Sequence, residues 1–174
     1  YIKYKGEEIL KTSSIEKKTR ALYHDIHTKQ GRDKNILNRL IQLLSPKYLK
    51  EDDEFFKGKV CLDAGCGSNM NATYSMLKHG AEKVYAFDTD KTIFEKAPEY
   101  LKEFEGKYEL KIDNVLNMKF DENFFDFVHC SGVLHHTTDF AGGIKELGRV
   151  TKNGGMLAIT TYGKGGLVRE LTKY

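Results

Sequence analysis

The chain has 174 residues, of which 40% are hydrophobic and 30% are charged, a balance that indicates one globular domain. It has no apolar run approaching the roughly 20 residues that span a bilayer and no signal-peptide pattern, so we expect no membrane span and a cytoplasmic location. The net charge of +3 is uneven, because residues 1–50 carry 12 Lys or Arg against 5 Asp or Glu. This basic section could attract an acidic substrate or nucleic acid, although a solvated helical surface explains it more simply.

Residues 1–50 are predicted to form a helical section that precedes the main domain. The segment "SSIEKKTRALYHDIHTKQ" offers a Ser cap with a Glu three residues beyond Ser13. The segment "DKNILNRLIQLL" has the pattern of an amphipathic helix, which Ser45 and Pro46 should end. A polar stretch, "KEDDEFFKGK", then separates this section from the rest of the chain.

The helical section contains two features that could serve a ligand. His24 and His27 stand three residues apart on one helix face, but no third ligand is in view, so we predict no metal site. The section could also form a lid on the substrate side, although plain helix packing is the simpler expectation. The candidate lid residues are Tyr23, His27, Gly31 and Arg32.

From Lys59 onward the pattern changes to short buried strands that alternate with helices. This alternation predicts right-handed βαβ units and an α/β fold with a doubly wound, mostly parallel sheet. In such sheets ligands bind beyond the carboxyl ends of the strands, where the strand order switches. The predicted strands are "KVCLDA", "KVYAFD", "YELKID", "FDFVHCSG" and "MLAITTY", and the predicted helices are "ATYSMLKHG", "KTIFEKAPEYLKEFEG" and "DFAGGIKELGRVTKNGG", the last closed by its paired glycines.

The chain has three cysteines and no CxxC pair. Cys61 and Cys130 lie in apolar strand-like runs, and Cys66 lies in the glycine-containing turn after the first strand. We therefore expect Cys61 and Cys130 to be buried free thiols of a cytosolic protein.

The turn after the first strand combines two glycines with a preceding acid. Gly65 and Gly67 give G-x-G, but Met70 stands where a dinucleotide fingerprint needs its third glycine, and no Lys-Ser/Thr pair follows as in a P-loop. Asp63 precedes the turn and would repel a pyrophosphate, whereas it suits a cationic ligand. Asp88 ends the second strand, 21 residues after Gly67, where a carboxylate can accept both ribose hydroxyls. The pair favours a nucleoside with a positively charged tail, such as S-adenosylmethionine.

Three segments, in order, resemble the motifs of class I S-adenosylmethionine-dependent methyltransferases. "VCLDAGCGSN" resembles their first motif, "VYAFDTD" their second, and "IDNVLNMKFDENFFDFVHCSGVLHH" the region of their third and fourth strands. The likeness is greatest to the small-molecule branch that includes ubiquinone- and menaquinone-biosynthesis methyltransferases. It implies a Rossmann-like methyltransferase fold over residues 51–174, of which the usual last strands are missing, so that this domain would be C-terminally truncated.

The resemblance also implies roles for individual residues. Gly65 and Gly67 would let the backbone pass the methionine moiety, Asp63 would lie near its ammonium, and Asp88 would bind the ribose. Either Asp113 or Asn114 would contact the adenine amine, and Asn69, in place of the third motif glycine, would tolerate a left-handed backbone. The full set expected to bind the cofactor is Asp63, Ala64, Gly65, Cys66, Gly67, Asn69, Asp88, Thr89, Asp113, Asn114, Val115 and Ser131.

The segment "SGVLHH" follows the fourth strand, and the resemblance places it beside the transferring methyl group. His135 or His136 could act as a general base, since imidazole titrates near neutral pH, or each could simply pack or orient the loop. The fourth strand lacks the Asn/Asp-Pro-Pro-Tyr/Phe and Pro-Cys signatures of DNA methylases, which favours a small-molecule acceptor over nucleic acid.

Three functions are therefore compatible with the sequence. The leading one is a methyltransferase that uses S-adenosyl-L-methionine and releases S-adenosyl-L-homocysteine. The second is a non-catalytic module that binds these ligands, and the third, less favoured, is an NAD-dependent oxidoreductase.

Overall fold

The computed structural model describes residues 33–161 and the two isolated positions Lys18 and Ala21. Its centre is a five-stranded parallel sheet with the strand order β3-β2-β1-β4-β5. The sequence prediction of an α/β fold with a doubly wound parallel sheet is therefore confirmed. Apart from Lys18 and Ala21, the predicted helix over "SSIEKKTRALYHDIHTKQ" lies outside the described residues, as do the candidate lid and the two histidines considered as metal ligands.

The strands and helices alternate along the chain as the sequence predicts. The strands are β1 (Val60–Ala64), β2 (Lys83–Asp88), β3 (Tyr108–Ile112), β4 (Phe125–Ser131) and β5 (Thr151–Thr160). The α-helices are α1 (Lys34–Leu43), α2 (Pro46–Leu49), α3 (Asn71–Lys78), α4 (Ala97–Tyr100) and α5 (Phe140–Val150), and single 3₁₀ turns cover Lys91–Phe94, Lys102–Phe104 and Leu134–His136.

The two faces of the sheet pack against different parts of the chain. Because side chains alternate along a strand, neighbouring residues of β1 enter different cores. Cys61 belongs to the core on the side of α3, and Leu62 belongs to the core on the side of α5. Both strand residues are fully buried, which explains why β1 is a continuous apolar run.

Helix α1 packs directly on α3. The carboxylate of Asp33 caps α1 by accepting a 2.7 Å hydrogen bond from the backbone N–H of Asn35. The imidazole Nε2 of His79 lies 3.0 Å from the carbonyl oxygen of Ile41, and Leu44 is buried in the core on the α3 side. The described end of the basic section therefore shares a core with the sheet, and the division of the chain at residue 50 stays a prediction.

Three local predictions differ from the structure. The stretch "KEDDEFFKGK", expected to be a polar separator, contributes a fully buried side chain, that of Phe56. The helix predicted over "KTIFEKAPEYLKEFEG" is broken, because Pro98 lacks an N–H group and can only start the short helix α4. The helix predicted to end at the paired glycines ends at Val150. Gly154 and Gly155 lie within β5, where the register of its pairing with β4 shifts.

Within residues 33–161, no helix combines the length and the apolar composition that crossing a bilayer requires. In the same part of the chain, no three His, Cys, Asp or Glu side chains form a group that could hold a metal ion.

An ion pair fixes the loop between β3 and β4 to α5. Arg149 donates to the Glu146 carboxylate at 2.7 Å and to the carbonyl oxygens of Phe120 and Met118 at 2.8 and 3.1 Å. Glu146 in turn accepts a 2.9 Å hydrogen bond from the backbone N–H of Met118. The contact with Arg149 lowers the pKa of Glu146 and raises the pKa of Arg149. In the loop that follows Asp113, a backbone N–H group and two backbone carbonyl oxygens are thereby bonded to side chains of α5.

Replacing Arg149 with Met should lower the free energy of unfolding by about 2 kcal/mol, because several half-buried acceptors lose a charged donor. The measurement is urea unfolding at pH 7. Lys145→Met, on an exposed position of the same helix, is the matched control and should change stability by less than about 0.5 kcal/mol. Equal losses in the two variants would contradict the role assigned to the ion pair.

Candidate functional site

The predicted site residues gather at one edge of the sheet. The strands are parallel, so their carboxyl ends meet at the same edge, and the strand order switches between β1 and β4. Gly65, Asp88, Asp113 and Ser131 follow or end β1, β2, β3 and β4 respectively. The structure therefore brings together the four positions that the sequence singled out at the strand ends.

The glycine turn after β1 is tied to the end of β2. Gly65 and Gly67 have φ angles of 77° and 62°, in the left-handed region that glycine adopts readily. The backbone N–H groups of Gly65 and Cys66 both donate to the carbonyl oxygen of Phe87, at 2.9 and 3.0 Å. The N–H of Gly67 donates to the carboxylate of Asp88 at 3.2 Å. The turn thus has a fixed position relative to the acid of β2.

Gly65 is also required by a close approach from the loop after β4. A Cβ atom at this position would lie 2.3 Å from Cγ2 of Val133. The glycine turn and the segment that leads to the two histidines are therefore in van der Waals contact.

The left-handed residue at the end of the turn is Met70, not Asn69. Met70 has a φ of 50°, and Asn69 is not among the residues with positive φ. The side chain of Met70 is fully buried in the core on the α3 side, and this packing offsets the cost of its strained backbone. Asn69, which could tolerate a left-handed backbone, does not adopt one in this turn.

Asp63 lies inside the protein and contacts three groups. Its side chain is 1% exposed, and one carboxylate oxygen accepts hydrogen bonds from the backbone N–H and the hydroxyl of Thr73, at 2.9 and 2.7 Å. The other oxygen lies 3.1 Å from Nδ1 of His129. Contact between Asp63 and a ligand ammonium stays a prediction.

Asp88 is the most accessible acid at the strand ends. It is half-buried, and its two carboxylate oxygens accept from the backbone N–H of Gly67 and from that of Thr89, at 3.2 and 2.7 Å. These two bonds orient the carboxylate at the end of β2.

Asp113 and Asn114 differ in burial. Asp113 is 1% exposed, and its oxygens accept from the backbone N–H groups of Asn114 and Lys119 at 2.8 and 3.0 Å. Burial raises the pKa of Asp113. Asn114 is half-buried, and its side-chain oxygen accepts from the N–H of Leu116 at 2.9 Å. Of the two candidates for the adenine contact, Asn114 is the more exposed.

The two histidines stand side by side in the 3₁₀ turn after β4. The ring centroids of His135 and His136 are 4.0 Å apart, and Nδ1 of His135 lies 3.3 Å from the hydroxyl oxygen of Thr161. Burial lowers the pKa of His135, and burial followed by the neighbouring His135 lowers the pKa of His136. Both imidazoles are therefore neutral at pH 7, the form that can accept a proton.

The remaining residues predicted to bind the cofactor differ in burial. Ala64 and Val115 are buried, so only their backbone groups can face a ligand, and Ser131 is half-buried at the end of β4. Desolvation of the sulfur, followed by the carboxylates of Asp63 and Asp88, raises the pKa of Cys66. Cys61 and Cys130 are buried free thiols, as the sequence predicts.

Sequence reasoning missed three residues of this region: Thr73, His129 and Val133. His129 is the one that left a signal, because it interrupts the apolar run of β4, where a polar residue needs a partner. Thr73 and Val133 left none, since their contacts come from residues distant in the sequence.

Comparison with known proteins identifies the family. The methyltransferase domain family matches residues 62–159, more than half of the chain. The chain is 34% identical over 109 residues to the tRNA U34 carboxymethyltransferase of Sulfurovum sp., a match that covers 61% of this chain and 35% of that protein. It is 27% identical over 126 residues to the ubiquinone biosynthesis O-methyltransferase of Coxiella burnetii, covering 71% of this chain and 53% of that one.

A solved structure supports the same fold. A candidate S-adenosyl-L-methionine-dependent methyltransferase from Methanococcus maripaludis superposes with a TM-score of 0.63 at 17% identity, over 97% of this chain and 74% of that one. The chain therefore has the class I S-adenosylmethionine-dependent methyltransferase fold. It belongs to the methyltransferase domain family, whose cofactor is S-adenosyl-L-methionine. It spans about half or less of the length of the two curated relatives named above.

The described residues fit this cofactor at two places. The oriented carboxylate of Asp88 suits the two ribose hydroxyls, because an ionised acid accepts from both. The left-handed glycines remove side chains from the turn where the methionine moiety would pass. Asp63 offers no exposed oxygen for the ammonium group in this structure.

Asp88→Asn should weaken S-adenosylhomocysteine binding about 10-fold or more, because a charge-assisted bidentate contact is lost. Isothermal titration at pH 7 measures the change. Asp53→Asn, an exposed acid before β1, is the control and should leave the affinity unchanged. An unchanged affinity in Asp88→Asn would refute the ribose contact.

Gly65→Ala should lower the free energy of unfolding by about 2–4 kcal/mol, because it adds both backbone strain and a clash with Val133. Adding Val133→Ala should recover only the part due to the clash, since the φ angle stays unfavourable. Thermal and urea unfolding of both single variants and the double variant measure the coupling. Full additivity of the two substitutions would show that the contact contributes nothing.

Proposed function

We propose that this chain is the catalytic domain of an S-adenosylmethionine-dependent methyltransferase that acts on a small-molecule acceptor by in-line methyl transfer. The observation that carries the proposal is the meeting of the glycine turn, the oriented carboxylate of Asp88 and the histidine pair at one edge of the sheet. Cofactor and acceptor groups can then occupy adjacent positions, which is the main requirement of a displacement reaction.

Alignment and exclusion of water are the main tasks of the protein. The bound cofactor supplies a methyl group on a sulfonium, which is already a good leaving group. Asp88 would hold the ribose, and the backbone of residues 64–67 would pass the methionine moiety. Val133, in the loop after β4, packs on Gly65 and so holds that loop against the glycine turn. These contacts would fix the cofactor along the edge of β1 and β2.

The neutral histidines can accept a proton from the acceptor. Their lowered pKa values keep both rings unprotonated at pH 7, and they are half-buried beside the loop that contacts the turn. A hydroxyl or an ammonium group loses a proton when it is methylated, so a base at this position would assist such acceptors. The name of the Coxiella burnetii relative, an O-methyltransferase of ubiquinone biosynthesis, supports an acceptor hydroxyl on a small molecule.

Isotope-labelled S-adenosylmethionine offered with phenols, carboxylic acids and amines tests the proposal. Methylated product detected by mass spectrometry, with release of S-adenosylhomocysteine, is the expected result. Binding of both adenosyl ligands without turnover on any acceptor would favour the non-catalytic binding module. Binding of NAD in place of the adenosyl ligands would favour an oxidoreductase. Transfer RNA, which the name of the Sulfurovum relative gives as its substrate, is offered as well, and methylation of it would assign a nucleic-acid acceptor.

The pH profile of methyl transfer follows from the histidines. Because both pKa values lie below the ordinary value of 6.5, the midpoint of the acid limb of kcat/KM should lie below pH 6.5, as the base becomes protonated. His135→Gln or His136→Gln should lower kcat about 100-fold or more for the residue that acts as the base, and should remove the acid limb. A midpoint of the acid limb above pH 6.5, or full activity in both variants, would contradict the assignment.

A further inference from the structure

Thr161 reaches the histidine turn from a different strand. Its hydroxyl oxygen lies 3.3 Å from Nδ1 of His135, close enough for a hydrogen bond. Thr161 directly follows β5, whereas His135 lies in the 3₁₀ turn after β4. The histidine is a candidate base in the proposed reaction, so the candidate base has a polar neighbour from a second strand of the same sheet.

Backbone contacts fix the position of Thr161 relative to the histidine turn. Ser131 and Thr160 are register partners on the adjacent parallel strands β4 and β5, and the N–H of Gly132 donates to the carbonyl oxygen of Thr160 at 3.0 Å. These contacts bring the residue after β5 beside the loop after β4. Because the carboxyl ends of parallel strands share one edge, Thr161 lies at the edge that also holds the glycine turn.

The histidine turn keeps its shape through its own hydrogen bonds. The backbone N–H of His136 donates to the carbonyl oxygen of Val133 at 2.9 Å. The N–H and the hydroxyl of Thr137 both donate to the carbonyl oxygen of Leu134, at 3.1 and 2.7 Å, and the side chain of Leu134 is buried. Removal of the Thr161 hydroxyl would therefore leave the turn in place and change only the surroundings of the ring.

The two ring nitrogens of His135 differ in access. Nε2 is buried, whereas Nδ1 lies beside the hydroxyl of the exposed residue Thr161. A neutral imidazole has one N–H group and one lone pair, and which nitrogen has the proton depends on the hydrogen bonds of the ring. When the N–H is on Nε2, the lone pair of Nδ1 accepts from the Thr161 hydroxyl. A proton that comes from outside the protein then reaches this lone pair through that hydroxyl.

We propose that Thr161 relays the proton of the methyl acceptor to Nδ1 of His135, which makes His135, and not His136, the base. This inference rests on the proposed function and concerns an acceptor that has a hydroxyl group. The O–H bond of the acceptor breaks as its oxygen bonds to the methyl carbon, and the bond from that carbon to sulfur breaks with its electron pair on the sulfur. The released proton bonds to Oγ1 of Thr161, whose own proton moves to Nδ1. The protonated ring later returns this proton to water by the same path.

Nuclear magnetic resonance of the ring nitrogens tests the contact without cofactor or acceptor. In the unaltered chain at pH 7, the nitrogen-15 signals of His135 should show the tautomer that has its N–H on Nε2 and its lone pair on Nδ1. In Thr161→Val the Nδ1 signal should move toward the position of a lone pair that has lost its donor, since valine has the shape of threonine but no hydroxyl. The opposite tautomer in the unaltered chain would overturn the relay, because Thr161 would then accept from the ring.

Steady-state kinetics with a hydroxyl acceptor test the relay itself. Thr161→Val should lower kcat about 10-fold or more and leave KM for the cofactor nearly unchanged, because only the path of the proton is lost. Thr161→Ser keeps a hydroxyl on the same carbon and should retain most of the activity. In the His135→Gln chain, Thr161→Val should cause no further loss, since both residues act on one proton. Thr160→Val removes the neighbouring hydroxyl and keeps the carbonyl that Gly132 contacts, so this control should keep full activity.

The possible failures separate the relay from the proposed function. Full activity in Thr161→Val would overturn the relay, as would a further loss when Thr161→Val is added to His135→Gln. If His136→Gln loses activity and His135→Gln does not, His136 is the base and the relay is again overturned, while the methyltransferase assignment stands. If the unaltered chain transfers methyl to no acceptor, the proposed function is contradicted and the relay falls with it.

Discussion

One buried carboxylate joins the elements on which the site is built. Asp63 lies next to the end of the central strand β1, contacts His129 on β4 across the switch in strand order, and accepts from Thr73 in the first turn of α3. Helix α3 has no side-chain cap of its own, since Met70 occupies its N-cap position. Asp63 therefore supplies the missing acceptor at the positive end of the helix dipole, and a change at this residue would disturb two strands and a helix together.

The acids at the strand ends differ in burial and in what they bind. At β3, Asp113 uses its oxygens on the backbone of the following loop, and the Arg149–Glu146 pair holds the far side of that loop. At β2, Asp88 fixes the glycine turn and still reaches the surface. A site of this kind gains its order from the buried acids, which hold the loops at the strand ends in place before a ligand binds.

The sequence predicts what depends on spacing and fails where tertiary packing decides. The alternation of strands and helices, the glycine turn and Asp88 follow from local pattern and chain position. Asn69 has the better intrinsic preference for a left-handed backbone, yet Met70 adopts it because its side chain fills the core. Gly154 and Gly155 read as a helix stop but lie in β5, since the carbonyl groups at the end of α5 accept from Asn123 and Phe124. The inward orientation of Asp63 depends on His129, 66 residues away.

The state of the three thiols has a practical consequence for studies of motion. Cys61, Cys66 and Cys130 all have raised pKa values, and the thiolate is the form that reacts with maleimides. A cysteine introduced at an exposed position would therefore be labelled in preference to the native ones, without first removing them. Fluorophores placed on α1 and on the loop after β4 would then report whether the helical section moves toward the sheet edge when a ligand binds.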